Sequence, residues 1–381
     1  MTLLKTEKTA MKLSIERAAL LRALNHVQNV VERRNTIPIL SNVLMKAEKG
    51  VLTLITTDMD LEINESVSAK VSDPGATTAP AHTLHDIIRK FPDGSDVELI
   101  LNSEGTQMSV KAGRSQFKLS CLPVSDFPEI ATTALPNAFS IPARDLRALV
   151  DRTKFAMSTE ETRYYLNGIY VHKADNDGVK VLRAVATDGH RLARFEMPLP
   201  EGAMEMPGVI VPRKAILELR KLSEEAADTI QITLSENKIR FAFDHIVLTS
   251  KLIDGTFPDY QRVIPKGNDK MVEVDPKIFT SAIDRVSTIS DGKSRAVKIA
   301  LHGKQMTISA SSPEAGSATE ELEINGDSEM EIGFNAKYLL DITSQIEGEG
   351  CRLTLADSAS PTIIQDNSDP SALYVLMPLR V

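Results

Sequence analysis

Alternating apolar and polar positions give way three times along the chain to apolar steps of three and four, and each time the alternation then resumes. Residues Lys12 to Leu24 open with such an alternation, pass a polar residue and continue at helical spacing. This pattern predicts a short strand, a cap and an amphipathic helix. Phe139 to Val150 repeat it, with Pro142 suited to a first helical turn. Val272 to Asp284 repeat it again, with Asp275 as N-cap and Pro276 after it. Ser14, Ser140 and Asp275 read as equivalent positions, 126 and 135 residues apart.

A second pattern recurs inside each repeat. Thr78 to Lys90, Val209 to Lys221 and Ile332 to Ile342 each read as a strand leading into a helix. Alternating segments at 97–101, 231–234 and 352–355 follow and predict antiparallel strands. The run Ser120 to Ile130 parallels Ser250 to Tyr260, 130 residues on, while the third copy stops at Tyr374 to Val381. Three ordered correspondences predict a repeat architecture: an extension at 1–10, then domains at 11–135, 136–268 and 269–381. The fold class is α+β, each domain holding two helices and antiparallel sheets, six half-units in all.

A chain of 381 residues exceeds a single ordinary core, which agrees with several domains. No apolar stretch approaches the roughly 20 residues of a membrane span, and residues 1–10 lack the apolar core of a signal peptide. The two cysteines, Cys121 and Cys351, form no CxxC pair, which predicts a cytoplasmic, reducing environment and no zinc site.

The net charge of −8 argues at first against nucleic acid. Its distribution reverses the argument. The predicted helices at 16–34, 82–91, 142–157, 212–222, 275–290 and 335–346 carry 17 Lys and Arg against 9 Asp and Glu, leaving −16 for the rest. Helices favour Glu as readily as Lys, so propensity does not explain the excess. Six helices that are positive in sum suit a concave or closed surface around a polyanion, bound through its phosphates without regard to sequence. No helix-turn-helix, zinc finger or aromatic RNP motif points to base reading.

Catalytic readings are weaker. Asp188-Gly-His190 resembles an acid–base pair, but Asp-Gly is more often a turn and no third group orients it. His82, His85 and Asp86 sit at helical spacing, yet solvated helix-face positions explain them better than a metal site. No GxxxxGK[ST] or GxGxxG run suggests a nucleotide. The readings to separate are a DNA-encircling scaffold, a protein-interaction scaffold without DNA, and a metal-dependent nuclease; the first predicts no catalytic residue, cofactor or metal.

The runs Arg163 to Gly168, Ala186 to Leu192, Val211 to Lys214, Thr249 to Leu252, Phe257 to Tyr260 and Met330 to Phe334 together resemble the bacterial β sliding clamp family, over residues 11–381. Its members are the processivity subunit of the replicative DNA polymerase. The resemblance implies a homodimer closed head to tail into a six-domain ring, helices inside and sheets outside, around double-stranded DNA. It implies DNA contacts at Arg34, Tyr164 and Tyr165, with Arg114, Arg213 and Lys214 added on charge; Glu160 departs from a position usually uncharged. It implies a groove that takes short linear motifs of the polymerase catalytic subunit, the clamp loader and other proteins. That groove would be formed by Leu166, Thr187, Gly189, His190, Arg191, Leu192, Pro258, Arg262 and Val263 with the tail Val375, Leu376, Met377, Pro378, Leu379 and Arg380. An apolar cavity rimmed by arginine suits leucine and phenylalanine anchors. Ser294 and Pro361 replace an aromatic and a serine of enterobacterial members, which implies altered partner preference. Ring closure would use Phe117, Leu119 and Ile289.

Overall fold

The computed structural model describes residues 10–128, 135–226, 228–290 and 295–380. Six α-helices form at the predicted places: α1 (Arg17–Val27), α2 (Ala81–Lys90), α3 (Ala143–Asp151), α4 (Arg213–Leu222), α5 (Pro276–Ser287) and α6 (Ala336–Thr343). Two are capped by local side chains. Asp275 accepts from the amides of Lys277 and Ile278, and Asn335 from those of Lys337 and Tyr338, meeting donors that have no partner in a first helical turn.

Two details of the repeat differ from the sequence reading. Pro142 ends the strand Asn137–Pro142, opposite Thr229, and the helix begins at Ala143, whose amide donates to Asp228. Pro80 and Pro212 likewise close the strands before α2 and α4. Asp275 therefore corresponds to Glu16 and Pro142, the residues just ahead of α1 and α3, rather than to Ser14 and Ser140. The first and third helices are also shorter than predicted. The first passes at Val27 into a 3-10 turn, Gln28–Val30, where valine and asparagine support a helix poorly. The third stops at Asp151; Thr153 turns its hydroxyl back onto the Leu149 carbonyl, and a 3-10 turn at Lys154–Ala156 follows.

The chain divides into two compact units, residues 1–143 with 217–251, and 144–216 with 252–381. The first contains a five-stranded sheet in the spatial order Lys70–Asp73, Met11–Glu16, Asp96–Leu101, Gln107–Ala112, Ser115–Ser120. It also contains an eight-stranded sheet. One half, Asn137–Pro142, Thr229–Leu234, Lys238–Phe243 and Ile246–Lys251, belongs to the second repeat. The other half, Leu61–Ser68, Val51–Thr57, Asn42–Glu48 and Gly75–Pro80, belongs to the first. Antiparallel pairing of Ile246–Ser250 with Leu61–Glu65 joins the halves, so the sheet runs across the repeat boundary. Helices α1 and α2 pack together in this unit.

The second unit has one ten-stranded sheet built the same way. The second repeat supplies Val209–Pro212, Gly168–Asn176, Val179–Thr187 and Arg191–Pro198. The third supplies Ala372–Leu376, Thr362–Asp366, Cys351–Leu355, Lys270–Val274, Gly316–Asn335 and Ala296–Ser312. Here Arg191–Phe195 pairs with Ala372–Leu376 across the boundary. Gly168 is required at its place, because a Cβ there would sit 2.3 Å from the Val211 carbonyl oxygen.

With the observed bounds the six helices carry 13 Lys and Arg against 6 Asp and Glu, a net of +7 in a chain of −8. The charge segregation survives the shorter helices. No helix of the described residues is long and apolar enough to cross a membrane.

Candidate functional site

In the second unit the hairpin between Val179–Thr187 and Arg191–Pro198 turns through Asp188 and Gly189. The Asp188 carboxylate accepts from the amides of His190 and Arg191, both at 3.0 Å, and Gly189 takes φ +89°. The Thr187 hydroxyl donates to the Arg191 carbonyl and accepts from the Gly189 amide. The Asp188 carboxylate is thus engaged in building a turn, and His190 stacks on Tyr338 of α6 with ring centroids 6.3 Å apart.

Behind this turn lies an apolar cluster of Leu166, Val185, Leu192, Ile210, Phe257, Tyr260, Leu373 and Val375, with Tyr165 and Ile264 packed at its edge. Tyr170 stacks between Phe257 and His172, at 4.9 Å and 4.5 Å. The floor is polar. Arg183 and Glu196 sit opposite each other on neighbouring strands and form a buried ion pair at 2.6 Å. Arg183 also donates to the Tyr260 hydroxyl at 2.9 Å. Burial holds the His172 imidazole below its usual pKa, and its Nδ1 faces the Lys173 carbonyl at 2.8 Å. A neutral ring donating there leaves Nε2 to accept from the Tyr260 hydroxyl at 3.0 Å. Burial likewise raises the Tyr170 phenol.

Pro258, Arg262 and Val263 are exposed on the segment that carries Phe257 and Tyr260, and Arg262 is paired with Asp259 at 2.8 Å. Val375 and Leu376 end a central strand and are buried. Beyond it the Met377 amide donates to the His190 carbonyl, and Leu379 forms an isolated antiparallel bridge with Gly333, its amide donating to the Gly333 carbonyl. Met377 is 40% exposed, and Pro378, Leu379 and Arg380 border a cleft of about 600 Å³ with Gly333 and Ala359. The sequence-predicted groove residues therefore lie in one unit: Leu166, Leu192 and Val375 in the apolar cluster, residues 187–191 at the turn, and Pro378, Leu379 and Arg380 at the cleft beyond the last strand. Arg191 differs from an arginine at a rim: it is buried, and its guanidinium is taken up by Asp188, Asp341 and the Phe155 carbonyl. Pro361 is half-buried, and its carbonyl accepts from Asn268; Ser294 lies outside the described residues.

Of the nucleic-acid candidates, Arg34 is exposed in the loop before the 3-10 turn Pro38–Ser41, and Arg114 is exposed in the turn before strand Ser115–Ser120. In the second unit, Tyr164 is 53% exposed and meets Tyr165 edge-on at 5.8 Å. Arg213 and Lys214 open α4, half-buried. The Glu160 carboxylate is held in two hydrogen bonds by Arg163, which keeps its pKa below the usual range and offsets its charge. Phe117 is 42% exposed on a strand at the edge of its sheet, against Phe91, while Leu119 is buried; Ile289 is half-buried just past α5. His82 and His85 are not solvated as the sequence reading had them. Nε2 of each meets an oxygen of the α1 region, the Val31 carbonyl and the Asn25 amide respectively, because α2 packs this face on α1. Among the described residues no three His, Cys, Asp or Glu side chains are grouped to hold a metal ion.

Family models of the DNA polymerase III beta subunit match in order: the N-terminal domain at residues 11–131, the central domain at 140–259 and the C-terminal domain at 261–380. The chain belongs to the β sliding clamp family. It is 54% identical over 372 residues to the beta sliding clamp of Caulobacter vibrioides strain NA1000, covering 97% of this chain and 100% of that protein. It is 38% identical over 373 residues to that of Escherichia coli K12, with the same coverage. A crystal structure of the Caulobacter crescentus clamp matches with a TM-score of 0.95 at 54% identity, covering 97% of this chain and 99% of that one. A Bartonella birtlesii clamp solved with griselimycin bound matches with 0.94 at 50% identity, covering 97% and 100%.

Proposed function

We infer that the chain is a DNA sliding clamp: it encircles duplex DNA and tethers the replicative polymerase and other DNA-processing proteins, performing no chemistry of its own. The observation that carries this is the ordered match of three clamp domains across residues 11–380. The domains run from 11 to 135, 136 to 268 and 269 to 381, and the protein works in the cytoplasm. Two copies close head to tail, with Phe117 and Leu119 of one meeting Ile289 of the other, because a repeated edge-to-edge contact closes into a ring when its rotation is right.

Positive helices then line the hole. Arg34, Arg114, Arg213 and Lys214 contact phosphates, and Tyr164 and Tyr165 contact sugar or stack on a splayed base. Such contacts are weak and sequence-independent, which suits a protein that must slide. The groove around Leu166, Leu192, Pro258, Val263 and Val375 takes leucine or phenylalanine side chains of short linear motifs, and the exposed Met377 adapts to several partners. Negative-stain imaging of the full chain tests the reading. A closed ring of six similar lobes with an open centre is expected; a filled disc or an open rod would overturn it.

A further inference from the structure

The buried Arg191 ties the groove to α6. Its Nε donates to Asp188 at 3.1 Å, one terminal nitrogen to Asp341 at 2.5 Å, and the other to the Phe155 carbonyl at 2.6 Å. Its guanidinium carbon lies 4.3 Å from the centre of the Tyr338 ring and 5.2 Å from that of Phe155. Tyr338 and Asp341 are three residues apart on α6 and so share one face of it. Tyr338 stacks in turn on His190, whose carbonyl holds the Met377 amide. Two residues further on, Leu379 is bonded to Gly333, on the strand that leads into α6. The turn, the tail, the strand before α6, α6 itself and Arg191 thus form a closed circuit around one side of the groove.

We propose that Asp341 is a positioning residue for the peptide groove: through Arg191 it fixes the Asp188–His190 turn and the tail at Met377, so that α6 sets the affinity of the groove. The proposal rests on the reading of this groove as a peptide site. Of the three polar partners of Arg191 here, Asp188 belongs to the turn itself and Phe155 offers a neutral carbonyl. Only Asp341 brings a charge from a separate element, and a planar guanidinium is held in orientation by such paired acceptors. Without it Arg191 keeps its place near Asp188, but the turn is no longer braced against α6. A peptide that contacts Met377 and His190 then has to order the turn itself, and binding and bracing are reciprocal.

The test is Asp341→Asn in the full chain, a change of one atom that preserves shape. A fluorescent pentapeptide carrying leucine and phenylalanine reports groove affinity, and amide hydrogen exchange without peptide reports on the turn and tail. The expected result is a loss of about tenfold in affinity, with faster exchange at the Met377 amide and a melting temperature close to that of the unsubstituted chain. Affinity within twofold of the unsubstituted chain overturns the proposal. So does faster exchange confined to α6 with Met377 unchanged, which marks a purely structural ion pair. If the unsubstituted chain binds no such peptide, the groove reading itself falls, and this proposal with it.

Discussion

His26 shows what single residues do in this fold and why some of them escape a sequence reading. Its Nδ1 is 2.7 Å from a Glu65 oxygen and its Nε2 is 3.0 Å from a Glu225 oxygen. Glu65 is buried, and its other oxygen is 3.4 Å from His245; Glu225 is covered by Arg22 at 2.6 Å. Burial opposes a charge on the imidazole, but the two carboxylates outweigh it and the pKa lies above the ordinary 6.5. A pKa raised on folding gives stability that is complete below the unfolded value and is lost as pH rises through the folded one. The gap in melting temperature between the natural chain and His26→Gln is therefore expected to be wider at about pH 6 than at about pH 9. At the lower pH the substitution costs about 3 kcal/mol, because it breaks a buried ion pair; a gap independent of pH would contradict this. The sequence does not single out His26, since its partners lie 39 and 199 residues away. Asp275 was legible as a cap because its partners are two and three residues ahead. Arg183 gave an intermediate signal, a charge inside the apolar run Val181 to Val185, whose partner Glu196 only strand register reveals.

At the scale of elements, periodicity located all six helices but not their ends, which depend on tertiary turns such as Gln28–Val30. It also placed the repeats without showing that strands pair across their boundaries, a long-range choice that no local pattern encodes. The tail makes the distinction testable. Ala372–Leu376 is a central strand between Arg191–Pro198 and Thr362–Asp366, whereas Met377 and the residues after it lie outside it. Deleting 377–381 is expected to abolish peptide binding while lowering the melting temperature by no more than about 4 °C. Extending the deletion to 375–381 removes two buried side chains and is expected to destroy cooperative melting of this unit. If the shorter deletion already does so, the tail is part of the core and the separable groove is wrong.

In the whole molecule, the outer strands of the described sheets include Ser115–Ser120 in one unit and Ala296–Ser312 in the other. Exposed edges of this kind invite pairing with another chain. Sedimentation of the natural chain is expected to give about twice 41.7 kDa, and Phe117→Glu or Ile289→Asp to give folded monomers; a monomer at micromolar concentration in the natural chain would contradict ring closure. A closed ring holds DNA by topology rather than by affinity, and release from circular and linear DNA distinguishes the two. Protein loaded on a closed circle should survive a high-salt wash that breaks phosphate contacts, and should leave once a single double-strand cut opens the circle. Loss from intact circles as fast as from linear fragments would show instead that the chain binds DNA from outside and does not encircle it.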